Sequence, residues 1–196
     1  MLIGVTGQIG TGKTVVANYF KKRGAFVISA DKIGRDVVEN NTAVLKKLVK
    51  EFGSVIVTKS GRLQRRKLGR IAFSSEENKK RLNRIVHPPL LKELQRQVNS
   101  AKKNHNCIVI DAALLIDWGW HKKVDLTILV HAGEKIKISR LLKRGFSAEE
   151  ALERLKSQLK YSQLRKCTDI VVFNNKSIGS LEKKIQKILT KLPERC

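Results

Sequence analysis

Cysteine, proline and aromatic residues are all scarce in this chain of 196 residues. It has three cysteines and three prolines, and aromatic residues make up 5% of it. Cys107, Cys167 and Cys196 form neither a CxxC pair nor a Cys/His spacing suited to zinc, which excludes a zinc site of that kind. No apolar run is long enough to cross a bilayer, and the opening run Leu2–Thr6 is too short for a secretory signal. We therefore expect a cytoplasmic protein without a membrane partner.

Acidic residues are also few, since 17 Asp and Glu stand against 41 Lys and Arg and leave a net charge of +24. Such a charge favours anionic partners, whether nucleotides, nucleic acids or acidic membranes. The chain nevertheless has a globular composition, with 41% hydrophobic and 30% charged residues. Its length suits one substantial domain, or a compact core with an inserted subdomain.

Short apolar runs separated by helical patterns predict the strands of a single sheet. They are rich in β-branched residues and lack polar alternation, which is typical of parallel strands covered on both faces. We therefore expect an α/β fold with a five-stranded parallel sheet flanked by helices. The predicted strands are residues 2–6, 26–29, 107–111, 126–130 and 170–173.

Residues 36–103 break this rhythm, because they are mostly helical in pattern and rich in Lys and Arg. Within them only residues 54–58 have the pattern of a strand, and Ser60-Gly61 predicts a turn. We interpret the segment as a helical insertion into a core made of residues 1–35 and 104–196.

One motif indicates binding of nucleotide phosphates. Residues 7–14, GQIGTGKT, fit the pattern GxxxxGK[ST] and lie between a predicted strand and a helical pattern. In such a loop the glycines let backbone N–H groups surround phosphate oxygens, a lysine bridges the outer phosphates, and the final hydroxyl ligates Mg²⁺. A glycine-rich turn without a nucleotide is the alternative. The predicted ATP-binding residues of the loop are Gly7, Gly10, Thr11, Gly12, Lys13, Thr14 and Val15, with Thr14 also a metal ligand.

The rest of the sequence favours a small-molecule kinase over a GTPase. The nearest match to the guanine-reading motif NKxD, residues 175–178, lacks the acid. Asp31 follows the second predicted strand, whose carboxyl end should face the ligand crevice, so this carboxylate can orient or deprotonate an acceptor hydroxyl. Capping of the following helix is its alternative role. Asp111 ends the third strand and is either a second Mg²⁺ ligand or bonded to nearby backbone.

Three basic residues predict a lid. Lys137, Arg140 and Arg144 are spaced at i, i+3 and i+7, which places them on one face of a predicted helix. We expect residues 137–160 to close over ATP, and Arg140 and Arg144 to neutralise charge on the moving γ-phosphoryl group. A solvated cationic face is the alternative interpretation.

Taken in order and spacing, these residues resemble a known family. The chain is similar to the dephospho-CoA kinases over nearly its whole length, and motifs spread across the insertion make this resemblance more specific than the phosphate loop alone. The matching features are the loop 7–14, Asp31, the run 63–68, His87-Pro88, and Arg154 with Gln158.

The resemblance implies a P-loop kinase fold and transfer of the ATP γ-phosphoryl group to the ribose 3′-hydroxyl of dephospho-CoA, the last step of coenzyme A synthesis. It implies that residues 36–103 bind the acceptor and that ATP and Mg²⁺ are required. The resemblance assigns Asp31 as the catalytic acid/base, and Arg65, His87, Arg154 and Gln158 to the substrate side. Lys13 of the loop and Arg140 of the lid are the other predicted catalytic residues, and Arg144 and Asn174 are predicted to bind ATP.

Several alternatives remain open at the level of sequence. Arg65 also fits a solvated basic helix, and His87 precedes Pro88, a residue typical of a first helical turn. Lys176 stands where the family usually has a glycine. The rival functions are a kinase of another nucleotide or metabolite, and a nucleic-acid-binding ATPase. The aromatic residues do not interleave with the basic runs, so we expect no specific nucleic-acid partner. We also expect a monomer or weak homo-oligomer.

Overall fold

The computed structural model describes residues 1–190 and 192, so that Pro193 and Cys196 lie outside the described part. It contains one parallel sheet in the strand order β2-β3-β1-β4-β5, which confirms the predicted five-stranded α/β fold. The strands are β1 (Leu2–Thr6), β2 (Phe26–Ser29), β3 (Ile108–Asp111), β4 (Leu126–His131) and β5 (Ile170–Phe173). The helices are α1 (Lys13–Lys22), α2 (Ala30–Asn40), α3 (Thr42–Phe52), α4 (Arg65–Phe73), α5 (Glu76–Ala101), α6 (Glu134–Leu142), α7 (Ala148–Lys156), α8 (Tyr161–Lys166) and α9 (Ile178–Leu189).

The central strand β1 positions the predicted phosphate loop. All five of its residues are buried, and it pairs with β3 on one side and β4 on the other. Helix α1 returns against the sheet and buries Val16, Ala17 and Phe20 in the main core. The loop that joins β1 to α1 therefore leaves the sheet at its carboxyl edge between two neighbouring strands, which is where parallel α/β sheets bind their ligands.

The chain divides into two compact units, residues 1–29 with 98–196, and residues 30–97. The second unit is helical, with buried Leu48, Ile56, Leu68 and Ala72 from three different elements. The predicted division of roles at residues 36–103 concerns function and stays a prediction.

The strand expected at residues 54–58 is wrong. Ser54–Ile56 forms a single 3₁₀ turn, and only Val57 makes an isolated bridge, to Leu63. Ile56 is fully buried, and the backbone N–H of Gln64 donates to its carbonyl at 2.7 Å. The strand-like composition of this short run therefore includes an apolar side chain, Ile56, that is buried in a turn. Residues 60–61 do form a turn, in which Gly61 has a φ of +77°.

The alternative interpretation of His87-Pro88 as the start of a helix is wrong, because Pro88 and Pro89 lie inside the long helix α5. Each proline lacks the N–H that would bond the carbonyl four residues earlier, so the prolines interrupt the hydrogen bonding of the helix at its middle. The apolar residues Val86 and Leu90, one helical turn apart, are nevertheless both buried. Side-chain burial therefore carries the helix through a pair of residues that ordinarily ends one.

None of the helices in residues 1–190 combines the length and apolar character needed to cross a membrane.

Candidate active site

The phosphate loop has the backbone that its glycines predict. Gly7, Gly10 and Gly12 have φ values of 144°, 78° and 94°, a region that L side chains rarely adopt. A side chain at Gly7 would collide with the backbone oxygen of Val130, and one at Gly12 with the amide of Asn174. The glycines are therefore needed for backbone conformation and for close packing as well.

Helix α1 begins inside the motif, at Lys13, and the backbone N–H of Val15 donates to the carbonyl of Gly12 at 3.0 Å. The first N–H groups of a helix lack intrahelical partners and lie at its positive end, which favours phosphate. The Lys13 side chain is buried, and its Nζ donates to the carbonyl of Gln8 at 3.2 Å. Its ammonium group is thus held at the loop.

Thr14 and Asp111 meet beside the loop. The Thr14 hydroxyl donates to Oδ2 of Asp111 at 2.8 Å, and Asp111 is buried at the end of β3, in register with Val5 of β1. A hydroxyl and a carboxylate are oxygen donors of the kind that Mg²⁺ prefers. The described residues contain no cluster of three or more His, Cys, Asp or Glu with metal-binding geometry. An ion held here would take its other ligands from water and from ATP, as Mg²⁺ commonly does in kinases.

Arg140 and Asn174 hold the loop from its carbonyl side. Nη1 of Arg140 donates to the carbonyls of Gly10 at 3.1 Å and Thr11 at 3.3 Å, and Nη2 donates to the carbonyl of Asn174 at 3.0 Å. The Asn174 amide donates to the Thr11 carbonyl at 2.8 Å. Burial, and then the nearby charge of Arg144, lower the pKa of Arg140. Both side chains predicted to contact ATP therefore contact the loop that would hold it.

The predicted common face of Lys137, Arg140 and Arg144 is wrong, because α6 ends at Leu142. The backbone N–H groups of Arg144 and Phe146 both donate to the carbonyl of Leu141, which closes a turn through Gly145, where φ is +84°. Arg144 lies exposed in this turn. The three-residue spacing could not reveal that the helix stops before its third member.

The segment expected to form a lid is bonded to the loop at several points. Oε1 of Gln158 accepts the backbone N–H of Ile9 at 2.8 Å, and Nε2 of Gln8 donates to the carbonyl of Leu159 at 3.1 Å. Arg154 instead lies over the ring of Phe146, 4.8 Å from its centre, and burial lowers the pKa of its guanidinium.

The comparisons with known proteins agree with this geometry. A family model described as dephospho-CoA kinase matches residues 1–180. The chain belongs to the dephospho-CoA kinase family. It is 33% identical over 193 residues to the dephospho-CoA kinase of Oceanobacillus iheyensis, which covers 97% of both chains. It is 36% identical over 193 residues to that of Bacillus cereus, covering 97% of this chain and 96% of the other. This member of the dephospho-CoA kinase family is accordingly an ATP-using kinase of the final step of coenzyme A biosynthesis.

Two solved structures share the fold of this chain. A Thermus thermophilus protein superposes with a TM-score of 0.80 at 31% identity, covering 98% of each chain. A dephospho-CoA kinase from Campylobacter jejuni has a TM-score of 0.65 at 24% identity, over 97% of this chain and 96% of that one, and shows the fold alone. The two rival functions, another metabolite kinase and a nucleic-acid-binding ATPase, lose their support.

Three residues that the dephospho-CoA kinase resemblance assigns to chemistry or to the acceptor lie in the unit of residues 30–97. Asp31 is exposed within the first turn of α2, which begins one residue earlier. Arg65 begins α4, and its Nε lies 2.6 Å from Oε1 of Glu39. Burial lowers the pKa of His87, which favours its neutral form at pH 7. Arg65 therefore has a carboxylate partner within its own unit.

Sequence reasoning missed Gln8. It occupies a position at which the motif accepts any residue, so the pattern carries no signal there. Its buried amide nevertheless contacts both Lys137 and Leu159. Only the fold brings these residues together, because they are more than a hundred positions from the loop in sequence.

Proposed function

We propose that this kinase transfers the γ-phosphoryl group in line, directly from ATP to the ribose 3′-hydroxyl of dephospho-CoA, with Asp31 serving that hydroxyl. The attacking oxygen forms a bond to the γ-phosphorus while the bond to the oxygen of the ADP leaving group breaks. Asp31 accepts the proton of the hydroxyl. The observation that carries the proposal is the Thr14–Asp111 pair, 2.8 Å apart, next to a glycine-rich loop at a helix N-terminus.

The loop would bind the phosphates of ATP through its backbone and through Lys13. On binding, the Lys13 ammonium, which has three N–H donors, would add a phosphate oxygen to the bond that it already makes with the Gln8 carbonyl. Arg140 donates to the carbonyls of Gly10 and Thr11 in the same loop and adds positive charge there. Fixed positive groups favour the transition state, in which charge spreads over the oxygens of the transferred group.

Mg²⁺ would be held by Thr14 and Asp111, whose oxygen atoms already lie within hydrogen-bond distance of each other. When bound, the ion supplies charge neutralisation to the outer phosphates of ATP. The carboxylate of Asp111 is fixed by its place at the end of a buried strand, so this ligand is preorganised.

The acceptor would be bound by residues of the unit 30–97. An arginine makes bidentate contacts with pyrophosphate oxygens, which suits Arg65 to the pyrophosphate of dephospho-CoA. His87, neutral at pH 7, would contribute a hydrogen bond rather than a charge. Arg144 and Arg154 would approach the phosphates as the lid closes, and Gln158 would act on the loop through Ile9. Residues 36–103 would thus form the acceptor-binding part of the enzyme.

The test combines substrate choice with a variant of Asp31. We expect ADP release from ATP with dephospho-CoA and none with AMP, nucleosides or shikimate. Asp31→Asn should keep the Kd for ATP within about twofold and lower kcat by about 10²–10⁴-fold, the usual contribution of a general base. Asp36→Asn is the matched control, because Asp36 is exposed on the same helix. Full turnover by Asp31→Asn would remove Asp31 from the chemistry, and a preference for another acceptor would overturn the proposed reaction.

A further inference from the structure

Lys137 is a buried cation beneath the phosphate loop. Only 5% of the residue is exposed, and its Nζ donates to Oε1 of Gln8 at 2.5 Å. The backbone of Lys137 also abuts the loop, since a Cβ on Gly10 would lie 2.9 Å from its carbonyl oxygen. A lysine on the face of a mobile lid would be solvated, whereas this one is packed against the motif.

The side chain of Gln8 connects Lys137 to the rest of the loop. Its Oε1 accepts from Lys137 and its Nε2 donates to the carbonyl of Leu159 at 3.1 Å, so both ends of the amide are bonded. The backbone carbonyl of the same residue accepts from the Lys13 ammonium at 3.2 Å and from the Thr11 hydroxyl at 2.7 Å. Gln8 is thus the point at which Lys137 can influence the position of Lys13.

No ion pair neutralises the charge of Lys137 in the part of the chain that the structure describes. Within residues 1–190 the ion pairs found between basic and acidic side chains involve neither Lys137 nor Arg140. Burial lowers the pKa of Lys137 against the opposing effect of Glu134, one turn earlier. Burial, and then the charge of Lys137, lower the pKa of His131. A buried cation that has only neutral acceptors is costly and favours the approach of an anion.

We propose that Lys137 is a positioning residue for ATP, which acts through Gln8 to hold the phosphate loop and the Lys13 ammonium in their binding arrangement. This inference rests on the proposed binding of ATP by the loop, and it adds two residues that the motif does not specify. Lys137 would not touch ATP. Its effect would pass through the amide of Gln8, so that removing either partner would have the same consequence.

The experiment is a double-mutant cycle on the full chain. The variants are Lys137→Met, which keeps the length of the side chain and removes the charge, Gln8→Ala, and the two combined. Lys135→Met is the control, because Lys135 is exposed on the same helix. The readouts are the Kd of a non-hydrolysable ATP analogue with Mg²⁺ by titration calorimetry, the KM of each substrate, and the thermal midpoint.

We expect each single variant to raise the Kd for the analogue about tenfold, a loss in the range for a hydrogen bond to a charged group. The double variant should be no weaker than the single ones, the KM for dephospho-CoA should stay within about twofold, and Lys135→Met should match the wild type. A lower thermal midpoint with unchanged Kd would overturn the inference, because it shows a structural role alone. Additive losses would also overturn it, since they indicate separate contacts.

The outcome for the wild type separates this inference from the function on which it rests. If the wild-type chain does not bind the analogue, the proposed function fails and the inference with it. If the wild type binds and both single variants bind equally well, the inference alone fails. Should Lys137→Met not fold, Gln8→Ala decides the question, because an unchanged Kd in that variant contradicts the proposed connection.

Discussion

The ion pair between Arg65 and Glu39 should compete with binding of the acceptor. Nε of Arg65 lies 2.6 Å from Oε1 of Glu39. To bind a pyrophosphate, the guanidinium therefore has to leave this carboxylate or divide its N–H groups between the carboxylate and the pyrophosphate. The Glu39→Gln variant removes the competing charge and keeps the size of the side chain. We therefore expect Glu39→Gln to bind dephospho-CoA more tightly than the wild type.

The exposure of the pair determines how large the effect should be. The two side chains are 41% and 45% exposed, so water screens their attraction. Ion pairs of this kind are worth about 0.2–1 kcal/mol, which corresponds to at most about a fivefold change in affinity. A buried pair would have predicted a change of several orders of magnitude, together with loss of stability.

The assay measures the Kd and KM for dephospho-CoA at low and high salt. We expect Glu39→Gln to lower both by about two- to fivefold, to leave the KM for ATP unchanged, and to lose its advantage at about 1 M salt, where the screening length falls to about 3 Å. Glu51→Gln is the matched control, because Glu51 pairs with Arg81 in the same unit and its loss changes the net charge equally.

The variant Arg65→Met serves as a second control. In its background Glu39→Gln should have no effect, since the competition requires the guanidinium. An unchanged or higher KM for dephospho-CoA in Glu39→Gln would refute the reasoning, as would an equal gain in Glu51→Gln.

Three further predictions concern the metal site, the pH dependence and a helix cap. Asp111→Asn should raise the Mg²⁺ concentration for half-maximal activity by at least about tenfold, because it removes the charge of a ligand; an unchanged Mg²⁺ titration would exclude Asp111 as a ligand. Burial in the folded protein lowers the pKa of His87 below its ordinary value of about 6.5. As the pH falls below about 6.5, the unfolded chain binds a proton at His87 before the folded protein does, so stability should be lost. His87→Gln should make the free energy of unfolding less dependent on pH between about 5 and 7, and the same slope as the wild type would contradict this. Ser147→Ala removes one bond of the capping box with Glu150 and should lower the free energy of unfolding by about 1 kcal/mol, as measured by denaturant titration; Ser139→Ala, at an exposed position inside α6, should have little effect.

The sheet was predictable because its strands have a local signature. Runs such as residues 2–6 and 170–173 are short, apolar and rich in β-branched residues, and the structure places strands there. The central strand β1 is buried at every residue and needs this composition. The edge strand β5 has the same composition, although only Val172 of its four residues is buried, so both strands can be recognised without knowing their neighbours. The phosphate loop was predictable for a related reason, since its glycines are required by backbone geometry.

Features that depend on distant packing could not be predicted. Local rules start a new helix at His87-Pro88, yet α5 runs through this point with Val86 and Leu90 both buried. Residues 54–58 have strand-like composition, but Ile56 is buried from a 3₁₀ turn. In the site, the contact of Gln8 with Lys137 joins residues far apart in sequence, at a motif position where any residue is accepted.

Two kinds of cation can be distinguished among the basic residues that give the chain its net charge of +24. Arg65, Arg81 and Arg96 have carboxylate partners at partly exposed positions, where pairing contributes little to stability. Lys137 and Arg140 are held by neutral oxygens of Gln8, Gly10, Thr11 and Asn174 instead. A carboxylate bonded to Lys137 or Arg140 would neutralise these cations and weaken their attraction for the phosphates of ATP. Neutral acceptors fix the positions of the cations and leave their charge available to the polyphosphate, which is the arrangement that a site for a strongly anionic substrate requires.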